Sequence, residues 1–86
     1  MNIYKIWQTS NKHYDVYDSA IVIAESPNEA RLWHPQGVYK WMNEPEEHWM
    51  LFDSWVDEAL LIQVELIGQA LPEAQSGVVL ASFNAG

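Results

Sequence analysis

Residues 19–29 read SAIVIAESPNE, and this stretch decides the fold because a strand signal is followed directly by a helix start. Its apolar half, residues 19–24, is rich in β-branched side chains and forms the strongest part of a strand over residues 14–24. An alternating segment at residues 3–9 predicts an earlier strand. The polar turn at residues 10–13 between them is short, so we predict an antiparallel hairpin.

A short helix is predicted directly after this hairpin. Ser26 can cap the helix, Pro27 is pre-shaped for its first position, and Glu29 can complete a capping box. We expect the helix to run from Pro27 to about Trp33, because His34 precedes a proline and so avoids helical geometry.

A second capping pattern occurs at residues 43–46, NEPE, after an ambiguous stretch at residues 36–42. When the following residues are projected at about 100° per residue, six apolar side chains fall on one side of the wheel. They are Trp49, Phe52, Trp55, Val56, Ala59 and Leu60. The opposite side carries Asp53, Ser54, Asp57 and Glu58. The pattern predicts an amphipathic helix of about four turns.

Two further strands are predicted at residues 61–70 and 78–83, with a turn at residues 71–77. The order of elements is then β-β-α-α-β-β. We predict a single α+β domain over residues 1–86, a four-stranded antiparallel sheet with both helices on one face. The edge strands of so small a sheet also permit a homodimer through strand pairing.

The composition excludes several classes of protein. The chain has 86 residues and no cysteine, which rules out a disulfide framework, a thiolate metal site and a cysteine nucleophile. Its first residues lack the apolar run of a signal peptide, and no stretch approaches the ~18 apolar residues of a membrane span. We therefore expect a cytoplasmic protein that does not associate with membranes.

The negative charge lies entirely in the second half of the chain. Residues 1–40 carry four acids and all four bases, whereas residues 41–86 carry eight acids and neither lysine nor arginine. The net charge of −8 therefore belongs to residues 41–86. Such a surface repels phosphate backbones, which argues against direct nucleic-acid binding. It attracts basic protein surfaces from a distance.

No catalytic or cofactor motif is present in the sequence. The nucleophile elbow, the zinc-protease motif, the phosphate-binding loop and the dinucleotide fingerprint are all missing. The histidines are dispersed at His13, His34 and His48, and only Glu44 and His48 have helical i, i+4 spacing, which supplies half a metal site. We expect no enzymatic activity, no metal and no other cofactor.

Residues 41–58 form an aromatic and acidic stretch with three tryptophans. One interpretation is an ordinary amphipathic helix with tryptophans inward and carboxylates in water. The other is an interface, because exposed tryptophan and methionine are enriched where proteins meet. The candidate partner-binding residues are Trp41, Met42, Glu44, Glu46, Glu47, Met50, Asp53, Asp57 and Glu58.

Two segments resemble a group of small uncharacterised proteins encoded by tailed bacteriophages and prophages. One runs over residues 17–31, YDSAIVIAESPNEAR, and continues through His34 and Pro35. The other combines residues 66–68 with residues 77–86, GVVLASFNAG. The resemblance covers about half of the chain, mainly its ends, and brings no catalytic residues with it.

The resemblance implies a small phage protein that acts in the bacterial cytoplasm. By analogy with other small acidic phage proteins, we expect an anti-defence protein that inhibits a host defence protein, such as a CRISPR effector. Steric block or nucleic-acid mimicry would be its mechanism. Two alternatives are a sponge for a nucleotide signal and an accessory or assembly protein of the phage particle.

The charge distribution predicts that the purified protein does not bind duplex DNA or RNA. No base follows Lys40, so residues 41–86 offer no continuous track for phosphates. A gel shift at ~0.15 M salt checks this, and a complex of micromolar or tighter affinity would contradict it.

Overall fold

A computed structural model describes residues 1–85 of the chain. Its elements are β1 (Asn2–Trp7), β2 (Val16–Ala24), α1 (Pro27–Ala30), β3 (Trp33–His34), β4 (Val38–Tyr39), β5 (Gln63–Gln69) and β6 (Gly77–Asn84), with 3-10 turns at Trp41–Asn43, Trp49–Asp53 and Ala59–Leu61. One antiparallel sheet contains four strands in the order β5-β1-β2-β6. A small hairpin of β3 and β4 lies outside that sheet.

The hairpin of β1 and β2 is antiparallel, as the sequence predicts, and places Asn2 opposite Ala24 and Trp7 opposite Ser19. The loop between its strands is closed by Gln8, whose side chain is buried. The Gln8 amide nitrogen donates to the carbonyls of Asn11 and Tyr17 at 2.7 and 3.0 Å, and its oxygen accepts the Asn11 N–H at 2.7 Å. A buried amide with these partners costs little to bury.

One face of the sheet is covered by residues 25–62, which we call the covering segment. Five buried sheet residues contribute to the main core cluster: Tyr4, Ile6, Ala20, Val22 and Ala24. They form one apolar cluster with five residues of the covering segment: Ala30, Trp41, Trp55, Val56 and Ile62. Alternation along β1 and β2 sends the intervening side chains to the opposite face, which we call the open face.

The predicted order β-β-α-α-β-β is wrong, although the four-stranded antiparallel sheet is present. Within residues 1–85 the covering segment contains one α-helix of four residues, and 3-10 turns lie where the second helix was expected. The first helix also ends earlier than predicted, at Ala30 instead of Trp33. No helix in the described part of the chain has the length and apolar character needed to span a membrane.

Tertiary hydrogen bonds account for the missing second helix. In an α-helix, the Leu51 carbonyl would accept from the N–H four residues later. Here it accepts the Ser54 hydroxyl at 3.2 Å and lies 3.1 Å from Nε2 of His34. The Ser54 carbonyl accepts the N–H of Tyr17 at 2.9 Å, and the Trp55 carbonyl accepts the Asn11 side chain at 3.3 Å. The sheet and its loops thus occupy acceptors that a helix would have used.

The hairpin of β3 and β4 positions His34 within the covering segment. Gly37 at its turn has φ +90°, a left-handed conformation that favours glycine, and its N–H donates to the His34 carbonyl at 2.8 Å. The strand pair is extended by the Lys40 N–H, which donates to the Leu32 carbonyl at 2.8 Å. The turn therefore fixes the backbone on both sides of the histidine.

The predicted cap of the first helix is confirmed. The Ser26 hydroxyl accepts the N–H of Glu29 at 3.2 Å, and Pro27 occupies the start of α1. The Glu29 carboxylate reaches back to the N–H of Glu25, also at 3.2 Å, instead of the N–H of the capping serine. Two backbone donors at the helix start are satisfied in this way.

Replacing the capping serine, Ser26→Ala, should lower the free energy of unfolding by about 1 kcal/mol, because the Glu29 N–H loses its acceptor. Denaturant unfolding measures the change. Ser76→Ala, in an exposed turn, is the matched control and should leave the midpoint unchanged. Equal midpoints for Ser26→Ala and the wild type would contradict the stabilising role of the cap.

Candidate partner-binding surface

The six candidate acids of the covering segment are all exposed. They are Glu44, Glu46, Glu47, Asp53, Asp57 and Glu58. Because the long helix is not formed, they do not lie along one helical face; they project from turns and from irregular chain. No lysine or arginine follows Lys40, so residues 41–62 of the covering segment contain neither of these basic residues.

Trp41 and Met42 do not belong to this exposed surface. Trp41 is fully buried, with its ring 5.0 Å from the ring of His34 and 4.5 Å from that of Phe52, both edge-on. Met42 is partly buried and packs against the same core. Both were candidate partner-binding residues in the sequence analysis, but in the structure they pack the covering segment onto the core.

Met50 is exposed as predicted, and its neighbour Trp49 is an exposed residue that the sequence interpretation placed inward. Their side chains are 66% and 65% exposed. Leu60, also assigned to the apolar side of the wheel, is 92% exposed. The sequence feature that could have predicted the exposure of Trp49 and Leu60 is Ser54. A serine within a helical pattern competes for backbone hydrogen bonds and favours a turn.

The acids at the start of this surface surround a shallow concavity lined by residues 43–47. Here Glu44, Glu47 and His48 bring their donor atoms within 4.8 Å of one another, because the N–H groups of residues 47 and 48 both donate to the Glu44 carbonyl. Carboxylate and imidazole ligands suit several divalent metals. However, the group offers three ligands on the surface, whereas structural zinc sites use four. We do not assign a metal to it.

His34 is a buried polar residue that fixes residues 51–54 of the covering segment. Its Nδ1 accepts the N–H of Gln36 at 3.0 Å, so the neutral ring carries its proton on Nε2. That Nε2 lies 3.1 Å from both the Leu51 carbonyl and the Ser54 hydroxyl oxygen. Burial lowers the pKa of His34 from its usual 6.5 to about 4, although the hydrogen bond to Leu51 opposes the shift.

His34 and Ser54 have the proximity of a catalytic pair but the wrong proton arrangement. A general base needs an unprotonated nitrogen facing the serine hydroxyl. The nitrogen that faces Ser54 is the protonated Nε2, and the Ser54 hydroxyl itself donates to the Leu51 carbonyl at 3.2 Å. His34 is also completely buried. The pair therefore has a structural role, which is to hold residues 51–54 against the core.

Comparison of the chain with family models, with curated proteins and with solved structures found no match. A function is therefore inferred from the exposed residues of the covering segment described above.

The buried neutral histidine predicts a specific loss of stability in acid. Between about pH 6.5 and pH 4 the unfolded chain protonates residue 34 while the folded chain does not, so stability falls as the pH decreases. Over that range the loss amounts to about 3 kcal/mol. His34→Gln should be less stable than the wild type at pH 7, and the difference should shrink by about 2–3 kcal/mol at pH 4.5.

Denaturant unfolding of both proteins at the two pH values measures this change. The same subtraction with His13→Gln, an exposed histidine, supplies the background. A difference between wild type and His34→Gln that stays constant with pH would show that residue 34 does not remain neutral in the folded protein.

Proposed function

We propose that this protein is a non-enzymatic binding protein that docks on a basic surface of another protein through residues 44–60 of its covering segment. The observation that carries the proposal is the combination of six exposed carboxylates with three exposed large apolar side chains, those of Trp49, Met50 and Leu60, in one short segment. We call this segment the acidic surface.

The charge of the acidic surface supports a basic partner. All six acids are exposed, and the segment that carries them contains no lysine or arginine. A single-sign surface of this kind raises the association rate with an oppositely charged partner. Proteins that handle nucleic acids expose basic surfaces to bind phosphates. The acids would occupy such a surface in place of phosphates.

The apolar residues of the acidic surface supply the second part of the proposed interface. Trp49 and Met50 are adjacent, and each exposes about two thirds of its side chain. Tryptophan is enriched among the residues that dominate binding energy, and methionine among interface residues generally. Charge would steer the encounter, while these two side chains would be buried in the complex and slow its dissociation.

The resemblance to small phage proteins supplies a biological context for this surface. In that context the protein is a phage-encoded inhibitor in the host cytoplasm, and its partner is a host defence protein such as a CRISPR effector. Inhibition would follow from steric block or from mimicry of the nucleic acid. The inhibitor needs no catalytic activity, because a nucleic-acid-binding channel of the host protein that it occupies is closed to the nucleic acid.

A protein that sequesters a nucleotide signal, the sponge alternative, has less structural support than a protein-binding function. A nucleotide site needs cations that are free to bind phosphates. Arg31 lines a concavity with Asn28, Leu32, Ala59 and Leu60. However, its guanidinium already donates to the Ile62 carbonyl at 3.2 Å and to the Asn28 side chain at 3.0 Å. This arginine ties the start of the covering segment to its end.

Reversing two charges of the acidic surface tests the proposal. Asp53→Lys with Asp57→Lys should leave the fold intact, because both side chains are exposed. Capture from a lysate of the host bacterium at about 0.05 and 0.5 M salt should retain a basic, nucleic-acid-handling protein on the wild type at the lower salt only. The double variant should lose it, mainly through a slower association rate. Trp49→Ala should weaken the same complex through faster dissociation.

Glu25→Lys with Glu73→Lys is the matched control, since it makes the same change of charge at two exposed acids outside the acidic surface. The proposal predicts that this control keeps the partner. Equal retention by the two double variants, or equal loss, would mean that the acidic surface is not the specific binding site.

A further inference from the structure

We propose that the outer edge of β6 pairs with β6 of a second copy of the chain, so that two sheets join into one of eight strands. Within residues 1–85, β6 is the last strand of the sheet and has only β2 as a neighbour. The N–H and C=O groups on its other side have no strand to pair with.

The sequence of β6 is unusual for an exposed edge. The strand has eight residues, Gly77–Asn84, and contains neither a charged residue nor a proline. Edge strands ordinarily avoid pairing through charges, proline, bulges or shortness. β6 has one such feature, an extra residue at Val79, because Leu80 pairs with Ile21 while Val78 pairs with Val22. Residues 80–84 follow without an extra residue on β6; the second irregularity of this pairing lies on β2, where Asp18 is an extra residue opposite Ser82 and Phe83.

The opposite edge of the sheet is better protected. β5 carries a charge at Glu65 and has Gly68 near its end, and its extra residue at Ile67 interrupts the pairing between them. A symmetric β5 pair would also bring two Glu65 side chains towards each other, which disfavours it. The β6 edge is therefore the one suited to strand pairing.

A second copy is the occupant that matches this edge. Residues 74–85 carry no charge although the chain carries −8, so two β6 strands approach without local repulsion. Two identical strands pair antiparallel about a two-fold axis, and every contact then occurs twice. If all of residues 80–84 are used, the axis passes through Ser82, which lies opposite itself. Ala81 then faces Phe83 of the second copy, so that a small side chain meets a large one.

The absence of cysteine from the chain allows a direct test of this register. In Ser82→Cys the two cysteines would face each other with Cα atoms about 4.5–5.5 Å apart, a separation that a disulfide spans. Val79 is also exposed. In Val79→Cys the two cysteines would be about 20 Å apart, because they are displaced by six residues along the paired strands. Mild oxidation should link most of Ser82→Cys into dimers and little of Val79→Cys.

Sedimentation over about 1–100 µM provides the second measurement. The wild type should show twice the 9.9 kDa chain mass at the upper concentrations. Ser82→Lys should weaken the dimer at least tenfold, because two lysines would meet on the axis. Ser76→Lys makes the same change at an exposed turn residue before β6 and should dimerise like the wild type. Equal melting temperatures of the two lysine variants will show that both are folded.

Three outcomes would overturn the proposal. The first is a wild type that stays at 9.9 kDa over the whole concentration range. The second is a Val79→Cys protein that cross-links as readily as Ser82→Cys. The third is a dimer that survives Ser82→Lys but is dissolved by Ile21→Lys, which would place the contact on the open face.

Discussion

The hydrogen bonds of His34 are the interaction on which the covering segment depends. The ring is buried and neutral, and its protonated nitrogen is directed at the Leu51 carbonyl and the Ser54 hydroxyl. The Leu51 carbonyl accepts hydrogen bonds from side chains and from the Ser54 N–H of a 3-10 turn. It is therefore no longer available to an α-helix. The chain therefore turns at Ser54, which sends Trp55 into the core and leaves Trp49 and Met50 outside. Trp49 belongs to the proposed interface because that helix does not form.

The tryptophans show which energetic term dominates in this core. Trp41 and Trp55 are buried completely, yet neither indole N–H has a hydrogen-bond partner among the described residues. An unsatisfied buried donor costs about 1–3 kcal/mol. Burial of an aromatic side chain removes on the order of 200 Å² from water, which contributes about 5 kcal/mol at ~25 cal/mol per Å². Apolar burial exceeds the cost of the unpaired donors, so the arrangement is favourable.

The sheet and the helix cap could be predicted from the sequence because both depend on local patterns. The runs around residues 3–9 and 19–24 alternate or branch as strands do, and Ser26, Pro27 and Glu29 lie within one turn of chain. The second helix could not be predicted correctly, because the groups that prevent it, Asn11, Tyr17 and His34, are distant in sequence. The incorrect helix also led to Trp41 being assigned to the surface and Trp49 to the core, whereas the structure buries Trp41 and exposes Trp49. The acids were correctly placed in solvent, since a charged side chain stays exposed in either backbone conformation.

Amide and indole hydrogen exchange by NMR tests the central claim most directly, because the two backbone arrangements bury different tryptophans. Trp→Phe variants assign the five indole signals. If His34 and the sheet hold the covering segment as described, the indole N–H groups of Trp41 and Trp55 exchange slowly and that of Trp49 exchanges rapidly. An amphipathic helix over the same residues would instead protect Trp49 together with Trp55. Slow exchange at Trp49 with rapid exchange at Trp41 would contradict the account.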